Sequence, residues 1–91
     1  MDFHGQVAVV TGGTRGIGKA IAEEFAKKGV HVVVAGRNVE AATDTAASLA
    51  SFGVKALGVR LDVSDSAEVA KTFEGIRKEF QRIDILVNNA G

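Results

Sequence analysis

Thr11-Gly12-Gly13-Thr14-Arg15-Gly16-Ile17-Gly18 follows the apolar, mostly β-branched run Val7-Ala8-Val9-Val10 and leads straight into a helical pattern. A strand, a glycine-rich turn and a helix start in that order make a phosphate cradle. The first N–H groups of a helix have no partner within it, and the helix dipole favours an anion beside them. Glycines let a pyrophosphate approach the backbone with no Cβ in the way. The spacing Thr-Gly-x-x-x-Gly-x-Gly, on Thr11, Gly12, Gly16 and Gly18, differs from G-x-G-x-x-G. It is not a Walker loop either, because Lys19 is followed by Ala20, which has no hydroxyl for magnesium. Glycine-rich turns also serve as ordinary strand-to-helix loops, so the rest of the chain must decide the reading.

Outward from this turn, short apolar runs alternate with helical spacing. Val7 to Val10 reads as a buried strand. Ile17, Ala20, Ile21 and Phe25 recur at three- and four-residue steps and predict the buried face of a first helix. Lys27 and Lys28 suit its last turn, and Gly29 suits its C-cap. Val32 to Ala35 is a second strand; Asn38 caps a second helix through Ala42, Ala46 and Leu49, closed by Gly53. Ala56 to Leu61 is a third strand, weakened by Gly58. Asp65 and Glu68 have the spacing of a capping box for a third helix, whose apolar face is Val69, Phe73, Ile76 and Phe80. Ile83 to Val87 is a fourth strand, ahead of Asn88-Asn89-Ala90-Gly91. Gly29-Val30-His31 and Gly53-Val54-Lys55 echo one another, each closing a helix and opening a strand.

The βαβαβαβ order predicts an α/β fold: a partial, Rossmann-type, doubly wound parallel sheet with right-handed crossovers. The expected strand order is 3-2-1-4. It places a switch point between the first and fourth strands, and ligands bind at the carboxyl ends of strands beside such a point.

Composition narrows the partners. The 91 residues hold 11 Lys plus Arg and 11 Asp plus Glu, so no bulk charge favours nucleic acid or an anionic membrane. With no cysteine there is neither a disulfide framework nor a thiolate metal site. No apolar run approaches the roughly 18–20 residues of a membrane span. Met1-Asp2-Phe3-His4-Gly5 lacks the layout of a signal peptide, so a soluble, cytoplasmic protein is expected. His4 and His31 have no flanking ligands and read as surface or strand-end residues, so no metal site is predicted.

The glycines at 12, 16 and 18, then Asp62-Val63, then Asn88-Asn89-Ala90-Gly91, resemble the short-chain dehydrogenase/reductase family in order and approximate spacing over the whole chain. The opening segment from Phe3 to Gly12 and the segment from Phe80 to Gly91 look most like its 3-oxoacyl-(acyl-carrier-protein) reductase branch. The resemblance implies that Gly12, Thr14, Arg15, Gly16, Ile17 and Gly18 border the cofactor's pyrophosphate and neighbouring groups. It implies that Asp62 accepts from the adenine amino group, with Val63 lining the ring. It has Asn89, Ala90 and Gly91 pass along the adenosine ribose, and Asn88 tie the fourth strand to its neighbours. Taken one at a time, Asp62 also reads as a loop or capping residue, and Asn88-Asn89 as a strand-end turn.

Cofactor choice follows from charge. NAD binders usually carry an acidic residue at the end of the second strand, about 20 residues beyond the glycines, to hold the ribose 2′-OH. This strand ends Ala35-Gly36-Arg37-Asn38, with glycine where the acid is expected. No carboxylate there repels a 2′-phosphate, and Arg37 and Arg15 could both reach one; Arg37 also reads as a solvated loop arginine, so the missing acid is the better evidence. NADP(H) is therefore expected over NAD(H).

The family's catalytic apparatus is a Tyr-x-x-x-Lys pair with a nearby serine, beyond the fourth strand. This chain has no tyrosine, so no catalytic residue is assigned. Residues 1–91 are expected to be the N-terminal, dinucleotide-binding part of a single domain, cut before its catalytic segment. Its parent would reduce a carbonyl, such as a 3-oxoacyl thioester, by hydride transfer. The chain alone is expected to be inactive, marginally stable and prone to self-association through an exposed sheet edge and face. Two rivals are activity by complementation with a C-terminal piece, and a non-enzymatic, self-assembling module that merely retains the motifs.

Overall fold

The structure is a computed structural model and describes residues 4–14 and 16–89. The expectations for Arg15, Ala90 and Gly91 lie outside the described residues. The elements run β1 (Val7–Thr11), α1 (Gly16–Lys27), β2 (His31–Gly36), α2 (Val39–Ala50), β3 (Ala56–Arg60), α3 (Ser66–Phe80) and β4 (Ile85–Asn88). The sheet order is β3-β2-β1-β4, all parallel, as the sequence predicts. In register, Val9 stands between Val33 and Leu86, and Thr11 between Ala35 and Asn88.

The strands alternate their side chains between two covered faces. Val10, Val32 and Val34 point to one face and pack with Ala22, Ala42 and Leu49 of α1 and α2. Val9 and Val33 point to the other and pack with Ile76 of α3. Burial on both faces is why β1 and β2 read as continuous apolar runs. Each such valine contributes about 1.5–3 kcal/mol by leaving water.

The buried face of α1 differs from the expected one. Ile17 is 73% exposed and Ala20 is exposed, whereas Gly18, Ala22 and Ala26 are buried. The cause lies in the turn. A Cβ on Gly18 would collide with the Gly12 carbonyl, so α1 can approach β1 only through its narrowest side chains. Phe25 remains on the packed side, partly buried against the core.

Gly58 also has a different role from the one its propensity suggests. A Cβ there would lie 2.6 Å from the Thr43 amide nitrogen and closer still to Ala42. Its bare backbone lets α2 seat against β3. At the amino end of the sheet Asp84 joins β1 to the approach of β4. Its Oδ2 accepts from the Val7 amide at 2.8 Å, and its carboxylate takes both Arg82 donors at 2.7 Å. This clamp occupies residues expected to begin the fourth strand.

Candidate functional site

A cleft of about 700 Å³ opens at the carboxyl ends of the strands. Gly12 and Thr14 border it from the turn, Gly36 and Arg37 from the end of β2, and Val63 and Asn89 from the ends of the outer strands' loops. Six sequence-predicted positions or their direct neighbours thus meet in one space. The turn itself needs glycine: Gly12 and Gly16 have φ of 66° and 62°, in the left-handed region. The Gly12 amide donates to the Ala35 carbonyl at 2.8 Å, which continues the β1–β2 ladder into the start of the turn. The first turn of α1 holds no acidic residue, whereas α2 and α3 carry Glu40 and Glu68 there. Among the described residues, α1 is thus the one helix whose first turn brings no carboxylate of its own to the positive end of the helix dipole.

Thr11 fastens the floor of the cleft. Its hydroxyl lies 3.2 Å from Asn88 Oδ1 and 3.3 Å from the Val87 carbonyl, and it accepts from the Asn89 amide at 3.1 Å. Asn88 therefore ties β4 to β1, the part the resemblance implies for it. A Cβ on Gly18 would also stand 2.7 Å from Asn89 Nδ2. Turn, helix and strand end close on one another with no room for a side chain.

On the second wall, Gly36 replaces a side chain with space. A Cβ there would meet only Thr14 Cγ2, at 3.5 Å. Arg37 is exposed and its Nη2 lies 3.8 Å from Asp62 Oδ1. Asn38 caps α2, accepting from the Ala41 amide at 3.1 Å, as predicted.

Asp62 sits at the exit of β3. Its Oδ1 accepts from the Ser64 hydroxyl at 2.7 Å and the Ser64 amide at 3.0 Å. The Ser64 hydroxyl, then the Ser64 amide, hold the carboxyl below the usual carboxylate range against an opposing burial effect, with smaller help from Arg37 and Arg60. It is an anion at neutral pH and an acceptor for an amine. The loop reading and the adenine reading of Asp62 are therefore compatible: the Ser64 bonds orient the group and keep it charged. Val63 lines the cleft and is 44% exposed, an apolar surface available to a flat ring.

The capping box is only half formed. Asp65 caps α3, accepting from the Ala67 and Glu68 amides at 3.1 Å. Glu68 does not return to the Asp65 amide, which donates to the Asp62 carbonyl. Instead it reaches Arg60 and the Asp62 amide.

Gly16, Ile17, Gly18 and Asp62 flank the cleft without lining it. Thr11, the first residue of the glycine-rich stretch, lines it as well, and sequence reasoning had no place in it for Ala41 or Leu61, which also do. For Leu61 the signal was present: it lies just past the carboxyl end of β3. Among the described residues no group of three or more His, Asp and Glu could hold a metal ion.

This geometry has close counterparts. The sequence model of the family described as short chain dehydrogenase matches residues 6–91. A 3-oxoacyl-(acyl-carrier-protein) reductase of Aquifex aeolicus is 47% identical over 92 aligned positions, covering 100% of this chain and 37% of the relative. The L-sorbose reductase of Gluconobacter frateurii, solved with NADPH and L-sorbose, superposes with a TM-score of 0.92 at 48% identity, covering 100% of this chain and 36% of that one. An NAD+-bound xylitol dehydrogenase superposes at 0.95 with 35% identity, covering 100% of this chain and 35% of that one. The chain thus spans about a third of the length of the relatives it matches.

Proposed function

Because the chain belongs to the short-chain dehydrogenase family, we propose that its cleft holds a dinucleotide, NADP(H) in preference to NAD(H). The observation that carries the reading is the meeting of the glycine turn with Gly36 and Arg37 around one cleft. The residues fit the group. Gly12 leaves the turn bare for a pyrophosphate beside Thr14, and Gly18 lets Gly16 and Ile17 at the start of α1 close up to that turn; Arg15 is proposed to join them from its place in the sequence. Asn89, followed by Ala90 and Gly91, faces the adenosine side, with Asp62 and Val63 at the adenine.

Solved relatives hold NADPH or NAD+, so the preference rests on this chain's own residues. Gly36 presents no carboxylate to repel a 2′-phosphate, and Arg37 stands beside it as a donor. A hydrogen bond to a charged group contributes about 1.5–3 kcal/mol, roughly 10- to 150-fold in affinity.

Residues 1–91 are in this reading the N-terminal, nucleotide-binding part of a single reductase domain acting in the cytoplasm. Among the described residues no helix is long and apolar enough to cross a membrane. When bound, the reduced cofactor supplies a hydride to a substrate carbonyl carbon, of which a 3-oxoacyl thioester is the proposed class. This chain's residues bind and orient the cofactor. The test is a fluorescence titration of the chain with NADPH, beside Gly36→Leu, which fills the cleft at a position where a side chain has room. Saturable binding lost in a folded Gly36→Leu supports the proposal. No binding by the unaltered chain, or equal binding by both, contradicts it.

A further inference from the structure

We propose that Glu68 is a positioning residue for adenine recognition, fixing from the first turn of α3 the loop that carries Asp62 and Val63. The inference rests on the reading of this cleft as a site for an adenine dinucleotide. Asp65-Ser66-Ala67-Glu68 has the order of a capping box, in which Glu68 would accept from the Asp65 amide. Its carboxylate goes elsewhere. Oε1 accepts from Arg60 Nη1 at 2.8 Å and from the Asp62 amide at 3.3 Å. The side chain is 27% exposed, whereas that of Glu24, in ordinary helix-surface ion pairs, is 62% exposed.

One oxygen therefore ties the end of β3 to the start of α3. The Asp62 carbonyl is held as well, by the Asp65 amide at 3.1 Å. With both its backbone groups engaged, Asp62 has a fixed origin from which its side chain projects. The Ser64 bonds to Oδ1 then fix the carboxylate. The next residue, Val63, is carried to the cleft wall by the same constraint. Removing Glu68 frees the Asp62 peptide and releases Arg60 beside the Asp62 carboxylate. Both changes loosen the acceptor meant for the adenine amine while leaving the glycine turn, Gly36 and Arg37 untouched.

The experiment compares dissociation constants for NADPH and for its hypoxanthine analogue, which lacks the 6-amino group, by titration of the unaltered chain and of Glu68 variants. The unaltered chain should bind NADPH about tenfold or more tightly than the analogue, the size of a charge-assisted hydrogen bond. Glu68→Ala and Glu68→Ser should bring that ratio to near one, with affinity for the analogue falling less than affinity for NADPH because the glycine turn, Gly36 and Arg37 are untouched. Glu68→Gln keeps an oxygen for the Asp62 amide and should keep the ratio. A folded Glu68→Ala or Glu68→Ser with an undiminished ratio overturns the proposal. So does a Glu68→Gln as indifferent to the amine as alanine. Loss of the fold in both the alanine and serine variants assigns Glu68 to stability alone and also overturns it. A ratio of one in the unaltered chain removes the adenine role of Asp62, and this inference with it. Absence of NADPH binding removes the cofactor reading itself.

Discussion

Gly36 and Arg37 stand together on one wall of the cleft, and the account of cofactor choice depends on what each does there. A carboxylate at position 36 has room, because a Cβ would meet only Thr14 Cγ2 at van der Waals distance. Gly36→Asp should therefore fold like the parent while placing a negative charge against the 2′-phosphate. We expect NADPH affinity to fall tenfold or more and NADH affinity to hold or rise, by parallel titrations; an unchanged ratio would place the 2′-position elsewhere. These residues were legible before the fold was known, because a missing acid at a strand end is visible in one dimension. Thr11 was not. Its hydroxyl acts on residues more than seventy positions away, the Val87 carbonyl and the Asn88 side chain. A threonine ending a strand carries no local mark of such a partner. Glu68 was misread for a related reason: the local capping box competes with a more distant strand end, and the strand end wins.

At the scale of elements, the strands and helices follow from apolar spacing, and their order fixes the sheet. The echo of Gly29-Val30-His31 and Gly53-Val54-Lys55 is structural. Both glycines take positive φ, both valines are buried, and the His31 ring nitrogen Nδ1 accepts from the Lys55 amide at 2.9 Å. What spacing alone did not reveal is which side of α1 turns inward, because the close approach at Gly18 outweighs the burial of Ile17. Gly58 makes the same point at the seam of β3 and α2. Gly58→Val should destabilise by about 1–3 kcal/mol, the usual range for overpacking, read from denaturant melts. A neutral result would mean that α2 retreats freely. The clamp at Asp84 gives a pH signature. Arg82, then the Val7 amide, hold its carboxyl below the ordinary 3.8. A depressed folded value means that the clamp stabilises above 3.8 and that this contribution is lost as pH falls through the folded value. Asp84→Asn should melt below the parent at pH 7, and the gap should close in acid. A gap independent of pH would contradict the ionic clamp.

For the whole molecule, β4 is the least covered strand. Among the described residues it pairs only with β1, and Leu86 is 57% exposed. An apolar edge of this kind templates pairing with another chain. We expect light scattering to give a mass above that of one chain, and Leu86→Lys to lower it. A sharp monomer for the unaltered chain would show that the edge is innocuous. The two faces of the sheet divide the labour: α1 and α2 cover one, α3 the other, and the carboxyl ends between them stay open as the cleft. That division is what makes a site out of residues from four strands. The most direct test follows amide chemical shifts in the chain as NADPH is added. The largest changes should fall at Gly12, Thr14, Gly36, Arg37, Val63 and Asn89. Changes confined to the opposite end of the sheet, around Gly29 and Gly53, or no saturable change at all, would contradict the cofactor reading of the cleft.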